Sequence, residues 1–125
     1  MSDRDDDFNS AEDNTDIAGV KDISPEELQK KRTSTFMVDV RQQEEFTGEL
    51  GHIPGAHLLT LDTLESNLDK IPKDKVVVFV CRSGGRSGRA TALALRAGYQ
   101  KVYNLKGGML LWNQIGFEVE GRADS

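Results

Sequence analysis

A chain of 125 residues, 37% hydrophobic and 30% charged, has the size and balance of one soluble domain that buries its core without staples. Its net charge of −5 is unevenly placed: Met1–Asp16 holds seven acids against Arg4, and that local −6 leaves +1 for the rest, with no basic stripe for nucleic-acid binding. A single cysteine excludes an internal disulfide, and with only His52 and His57 for company it gives no metal or cluster ligand set, so neither metal nor cofactor is expected.

No apolar run approaches the roughly 20 residues of a membrane span. The acidic start lacks the basic opening and apolar segment of a signal peptide, so a cytoplasmic location is the expectation. Residues 1–18 are poor in apolar side chains and rich in like charges, which predicts a disordered tail. The domain is expected over residues 19–121, with 122–125 a short C-terminal tail. Ser24-Pro25-Glu26-Glu27 opens a helix by an N-cap, a first-position proline and a glutamate three residues after the cap, and the helix runs to about Lys31. Phe36–Val40 reads as a buried strand, and Gln43–Phe46 as one or two helical turns closed by Gly48. Leu58–Leu61 is a weak apolar run, with Asp62 a candidate cap for a helix through about Leu68.

Val76–Val80 is the plainest element, a continuous apolar run suited to a strand buried on both faces of a parallel sheet. Beyond residues 81–86, Ala90, Leu93, Ala94 and Ala97 fall on one helical face that Gly98 would close. Val102–Leu105 gives a further strand and Gly107–Ile115 a last helix. Strands alternating with helices at this spacing imply an α/β domain around a central parallel sheet.

Cys81-Arg82-Ser83-Gly84-Gly85-Arg86-Ser87 joins the best strand to the best helix, at the edge of an α/β sheet where ligands bind. Paired glycines free the backbone, and a helix N-terminus adds unpartnered N–H groups, so the loop is a cradle for an anion. Three anions fit it: the thiolate of Cys81 itself, a persulfide on it, or an oxyanion substrate. Arg82, Arg86 and Arg89 supply permanent positive charge beside it. The bland alternative makes Cys81 a small buried hydrophobe.

The stretch CRSGGRS after VVVFV resembles the active-site loop of the rhodanese family. Asp39-Val40-Arg41 with Glu45-Phe46, then Gly51–Ala56, resembles the family's upstream signature, and Gly107-Gly108 with Trp112 its downstream one. The resemblance implies a three-layer α/β fold with a central five-stranded, mostly parallel sheet and helices on both faces. It implies a sulfurtransferase in which Cys81 takes sulfur from a donor such as thiosulfate and passes it to cyanide or a cellular thiol. Residues 82–87 would hold the substrate or the persulfide, with Asp39 and Arg41 as supporting residues.

Asp39, Arg41 and Glu45 also read as ion pairs that fix the end of a strand. His52 reads as a packing histidine, since attack by a thiolate needs no general base. Met109 and Leu110 are candidates for the pocket mouth. Three rivals stand beside the enzyme reading: a relay passing persulfide between proteins, a cysteine phosphatase or arsenate reductase, and a non-catalytic binding module. Four residues separate Cys81 from Arg86, whereas phosphatase-type loops resembling this one have five, which favours sulfur. Membranes and nucleic acids are not expected partners.

Overall fold

The computed structural model describes residues 8–122. Its centre is the strand the sequence marks most plainly, β5 (Val77–Val80), every residue of which is buried. β5 pairs in parallel with β3 (Phe36–Asp39) on one side and β6 (Val102–Leu105) on the other, with Phe36 opposite Val77 and Val77 opposite Val102. β4 (His57–Leu58) joins β3 in parallel and β2 (Lys21–Ile23) joins β6 in parallel. A sixth strand, β1 (Glu12–Asp13), adds to β2 antiparallel, so the order is β1-β2-β6-β5-β3-β4.

Side chains alternate across a strand, and β5 sends Val77 and Phe79 to one face and Val78 and Val80 to the other. The first face is covered by α3 (Leu61–Leu64) and α4 (Gly85–Arg96), where Leu64, Ala90 and Ala94 meet Val38, Phe79 and Val102. The second is covered by α1 (Pro25–Lys31) and α5 (Gly108–Ile115), where Leu28, Met109 and Trp112 meet Ile23, Val80 and Leu105. α2 (Gln43–Phe46) follows β3 and stands beside the sheet's carboxyl edge. The three-layer architecture agrees with the expectation, with one antiparallel edge strand added to the five parallel ones.

Over residues 8–18, that addition corrects the reading of residues 1–18 as a disordered tail. Residues 1–7 lie outside the described residues, but residues 8–18 have fixed partners. Phe8 is buried, packs edge-on against Tyr103 at 5.1 Å and lies 5.3 Å beneath the Lys31 ammonium. Glu27, expected to complete a capping box, instead accepts the N–H groups of Asn9 and Ser10 at 2.6 Å each, while Ser24 caps α1 alone. Glu12 and Asp13, two of the acids that suggested disorder, pair with Lys106 and Lys21 of the fold. At the other end Arg122 donates to Asn113 Oδ1; residues 123–125 lie outside the described residues.

Three smaller corrections follow. α3 starts after Thr60 rather than Asp62, because Leu59 and Leu61 donate to Asp39 and Val40 and carry the chain straight from sheet to helix. The helix tightens to a 3-10 turn over Glu65–Lys70, with Asn67 out of helical geometry. On α4, Ala97 lies past the last turn and is exposed, while Ser87 and Thr91 are buried on the inward face. Thr91 can be buried because its hydroxyl donates to the Ser87 carbonyl at 2.8 Å.

Docking of the N-terminal segment predicts that Phe8→Ala costs about 3 kcal/mol of stability, the size of losing a buried phenyl ring. Urea denaturation measures it, and a disordered tail would give no change.

Candidate active site

The alternation of β5 runs one residue past the strand, so Cys81 points to the same face as Phe79 and is 1% exposed. Its Sγ accepts the N–H of Gly84 at 3.1 Å and faces the Ser87 hydroxyl at 3.2 Å. Gly84 takes φ +111°, a left-handed conformation that glycine tolerates, and this turns its N–H back onto the sulfur as α4 begins. The turn is gripped from behind. Met109 and Leu110, in the first turn of α5, donate to the carbonyls of Cys81 and Arg82 at 2.8 and 3.0 Å. Gly108, at φ +56°, permits the approach, since a Cβ there would overlap the Cys81 carbonyl oxygen and the Arg82 peptide.

The cations do not all face the sulfur. Arg86 gives both guanidinium ends to Glu45, Nη1 to Oε1 at 2.7 Å and Nη2 to Oε2 at 2.8 Å, and so ties the first turn of α4 to α2. Arg82 is exposed and borders an open cleft of about 410 Å³ together with Arg41, Glu44, Glu45, Glu49 and Leu110. Leu110 thus stands at a cleft mouth, while Met109 is fully buried in the core. Ser83, Gly84 and Gly85 face a second hollow, whose far wall includes Asn14, Thr15, Asp16 and Ile17.

Asp39 and Arg41 form a buried pair, with Nε to Oδ1 at 2.9 Å and Nη2 to Oδ2 at 2.7 Å. Arg41 Nη2 also donates to the Gly51 carbonyl at 2.7 Å, which makes the pair a strut between β3 and the segment around Gly51. His52 donates from Nδ1 to the Phe46 carbonyl, stacks on the Phe46 ring at 3.6 Å and places Nε2 3.4 Å from Glu120 Oε2, so the fold engages both ring nitrogens. Two residues near the thiol were missed in the sequence. Asn104 on β6 accepts from Ser87 and donates to the Gly84 carbonyl, and Asp22 on β2 accepts from Asn104. An asparagine inside an otherwise apolar strand is the signal that marks Asn104; Asp22, among other acids, carries none.

Hydrogen bonds from Arg86 hold the Glu45 carboxyl at about 2, below its ordinary 4.5; burial opposes them and the Gln42 N–H assists. A depressed carboxyl stabilises the fold fully above its unfolded value and loses that contribution as pH falls from 4.5 towards 2. Both side chains are 30% exposed, so screening leaves the pair worth about 1 kcal/mol. Glu45→Gln is expected to cost that much at pH 7 and less at pH 3, measured by urea denaturation at both.

Residues 24–115 match the family model of the rhodanese-like domain. A sulfurtransferase of Allochromatium vinosum is 36% identical over 103 residues, covering 80% of this chain and 94% of its own. The crystal structure of a rhodanese-like domain protein from Staphylococcus aureus superposes with a TM-score of 0.66 at 33% identity, over 79% of this chain and 97% of that one. A Rhodopseudomonas palustris protein of unknown function, described as a possible tyrosine phosphatase, superposes at 0.75 with 28% identity, over 82% and 86%. The match extends from the cap of α1 to the end of α5 and takes in the whole loop from Cys81 to Ser87, and on it the chain belongs to the rhodanese-like family.

Proposed function

We propose that the protein is a sulfurtransferase in which Cys81 takes up sulfane sulfur as a persulfide and hands it to a thiophilic acceptor. Family membership and the sulfurtransferase among the relatives support a general role in sulfur transfer. The observation that carries the choice of Cys81 is the hydrogen bonding of its sulfur. A cysteine packed as a small hydrophobe has no use for two donors, whereas a sulfur anion is stabilised by the Gly84 N–H and the Ser87 hydroxyl.

In the first half-reaction the Cys81 thiolate attacks the outer sulfur of thiosulfate. A new sulfur–sulfur bond forms, the old one breaks, and sulfite leaves with its electron pair. In the second, cyanide or a thiolate attacks the terminal sulfur and the Cys81 thiolate leaves, so the cycle has ping-pong form. Burial of Cys81 suits this chemistry, because a terminal sulfur reaches inward as a single atom. Arg82, exposed at the cleft, is the cation best placed to meet an anionic donor, while Arg86 braces the loop through Glu45. The same pairing weighs against a phosphatase, since Arg86 would have to abandon Glu45 to hold an oxyanion.

A second reading concerns the donor. Glu44 and Glu49 are exposed on the cleft beside Arg82, and such a rim repels a small dianion. That observation favours a persulfide carried by a partner protein, with thiosulfate a poorer substitute.

With thiosulfate and no acceptor, the protein is expected to gain the mass of one sulfur atom, seen by intact mass spectrometry, and to lose it to cyanide as thiocyanate. Cys81→Ser should do neither. Phosphatase activity on an aryl phosphate without any gain in mass would reverse the assignment. Glu44→Lys with Glu49→Lys should raise kcat/KM for thiosulfate several-fold at low salt and much less at high salt, where screening is short-ranged. Equal values for the double variant and the parent at low salt would remove the argument from the rim.

A further inference from the structure

Behind the sulfur lies a line of polar groups that loop geometry alone does not require. Asn104 is 2% exposed in β6, and its amide makes contacts on both sides. Nδ2 donates to Asp22 Oδ1 at 2.9 Å and to the Gly84 carbonyl at 3.2 Å. Both partners are acceptors, so the amide cannot turn over without setting oxygen against oxygen, and Oδ1 must face Ser87. There it accepts from the Ser87 hydroxyl, the same hydroxyl that lies 3.2 Å from Cys81 Sγ. Asp22 is itself held by Asn14, whose Nδ2 donates to Oδ1 at 3.0 Å. Asn14 Oδ1 in turn accepts the N–H groups of Asp16 and Ile17 at 2.8 Å each. Asp22 and Asn14 both precede residues 24–115, the span of the family match.

One hydroxyl carries one proton, and Ser87 has two acceptors for it. We propose that Asn104, its amide fixed by Asp22, is a positioning residue that keeps the Ser87 hydroxyl between its own Oδ1 and the Cys81 sulfur. When the sulfur is a neutral thiol, the Ser87 proton rests on Asn104 Oδ1 and the Ser87 oxygen is open to accept the S–H. When the sulfur is an anion, its charge draws the Ser87 proton across, and the hydroxyl becomes a donor to Sγ. Without Asn104 the Ser87 side chain is free to take rotamers that carry its oxygen away from the sulfur, towards backbone carbonyls of its own helix. Asn14 and Asp22 therefore bear on the active site through this line.

The inference deepens the sulfur-transfer reading and shares with it only the reactive state of Cys81, so its test uses a reaction of any thiolate. Cys81 is the sole cysteine, and its alkylation by iodoacetamide at pH 7, followed by intact mass, reports that sulfur alone. Ser87→Ala and Asn104→Ala should each slow alkylation about threefold to tenfold: one charge-assisted hydrogen bond is lost, and the greater nucleophilicity of a more basic thiolate offsets part of that loss. Because Asn104 acts through Ser87, the double variant should be no slower than the slower single one. Asp22→Ala should slow the reaction about threefold, the lower end of the same range. Asp22→Asn, whose amide oxygen still accepts from Asn104, should restore the parental rate. Parental rates in Asn104→Ala, losses that multiply in the double variant, or an Asp22→Asn as slow as Asp22→Ala would each overturn the proposal. Should Asn104→Ala fail to fold, the two Asp22 variants decide alone. A parent protein that forms no persulfide would defeat the sulfur-carrier reading and leave these alkylation rates as informative as before.

Discussion

The first turn of α5 pressed against the peptide of Cys81 and Arg82 is the contact on which the site depends. Two N–H groups that a helix leaves unpartnered are satisfied by the carbonyls of Cys81 and Arg82. With those carbonyls held towards α5, the loop can turn N–H groups towards the sulfur, and the Gly84 N–H reaches it. The grip demands a glycine at 108, where any side chain would collide with the loop, and a rigid base for α5. Trp112, fully buried with its indole N–H on the Glu118 carbonyl, supplies that base. A motif thirty residues from the cysteine thus sets the conformation of the peptide that carries it.

Charge around the thiol is arranged so that most of it cancels locally. Arg41 is matched by Asp39 and Arg86 by Glu45, each through two guanidinium nitrogens. What then faces the sulfur is neutral: the Gly84 N–H, its direction set by the backbone, and the Ser87 hydroxyl, whose oxygen is held in place while its proton turns. Dipoles whose heavy atoms are already in place favour an anion without binding it so strongly that it stops reacting. A site built for a free oxyanion would turn its arginines inward. Here Glu45 and Asp39 hold two of them elsewhere, and Arg82 is left to face solvent.

The sequence was legible where one residue type had one physical use. The buried run before Cys81, the two glycines after it and the cap of α1 are local signals, and each names an element that the structure contains. Pairings across distance were not legible. Glu45 and Arg86 are 41 positions apart, and nothing in either segment selects the other. Glu12 and Asp13 read as part of a disordered tail because composition cannot see the lysines they meet beyond β6 and on β2. Asp62 resembled a helix cap, yet β4 needed the preceding residues for sheet pairing and the turn came earlier. Ser87 was read as part of the loop, and its burial on the inward face of α4 beside Asn104 became visible only when β6 was set next to β5.

The two hollows flanking the loop differ in their walls. Ser83, Gly84 and Gly85 look onto one whose wall is the segment Asn14–Ile17, and Ile17 lies so close to Gly88 that a Cβ there would come within 3.0 Å of its methyl. That segment is anchored through Asn14, whose side chain donates to Asp22 and whose N–H donates to the Val20 carbonyl, and its Ile17 packs against the base of α4. Arg82 looks onto the other hollow, whose rim is exposed carboxylates and a half-exposed Leu110. There the apolar Leu110 side chain stands next to acids. A partner presenting its persulfide among basic and apolar side chains would complement that rim. The wall on the other side, which precedes residues 24–115 of the family match, is tied to Ser87 by the hydrogen bonds from Asn14 through Asp22 and Asn104.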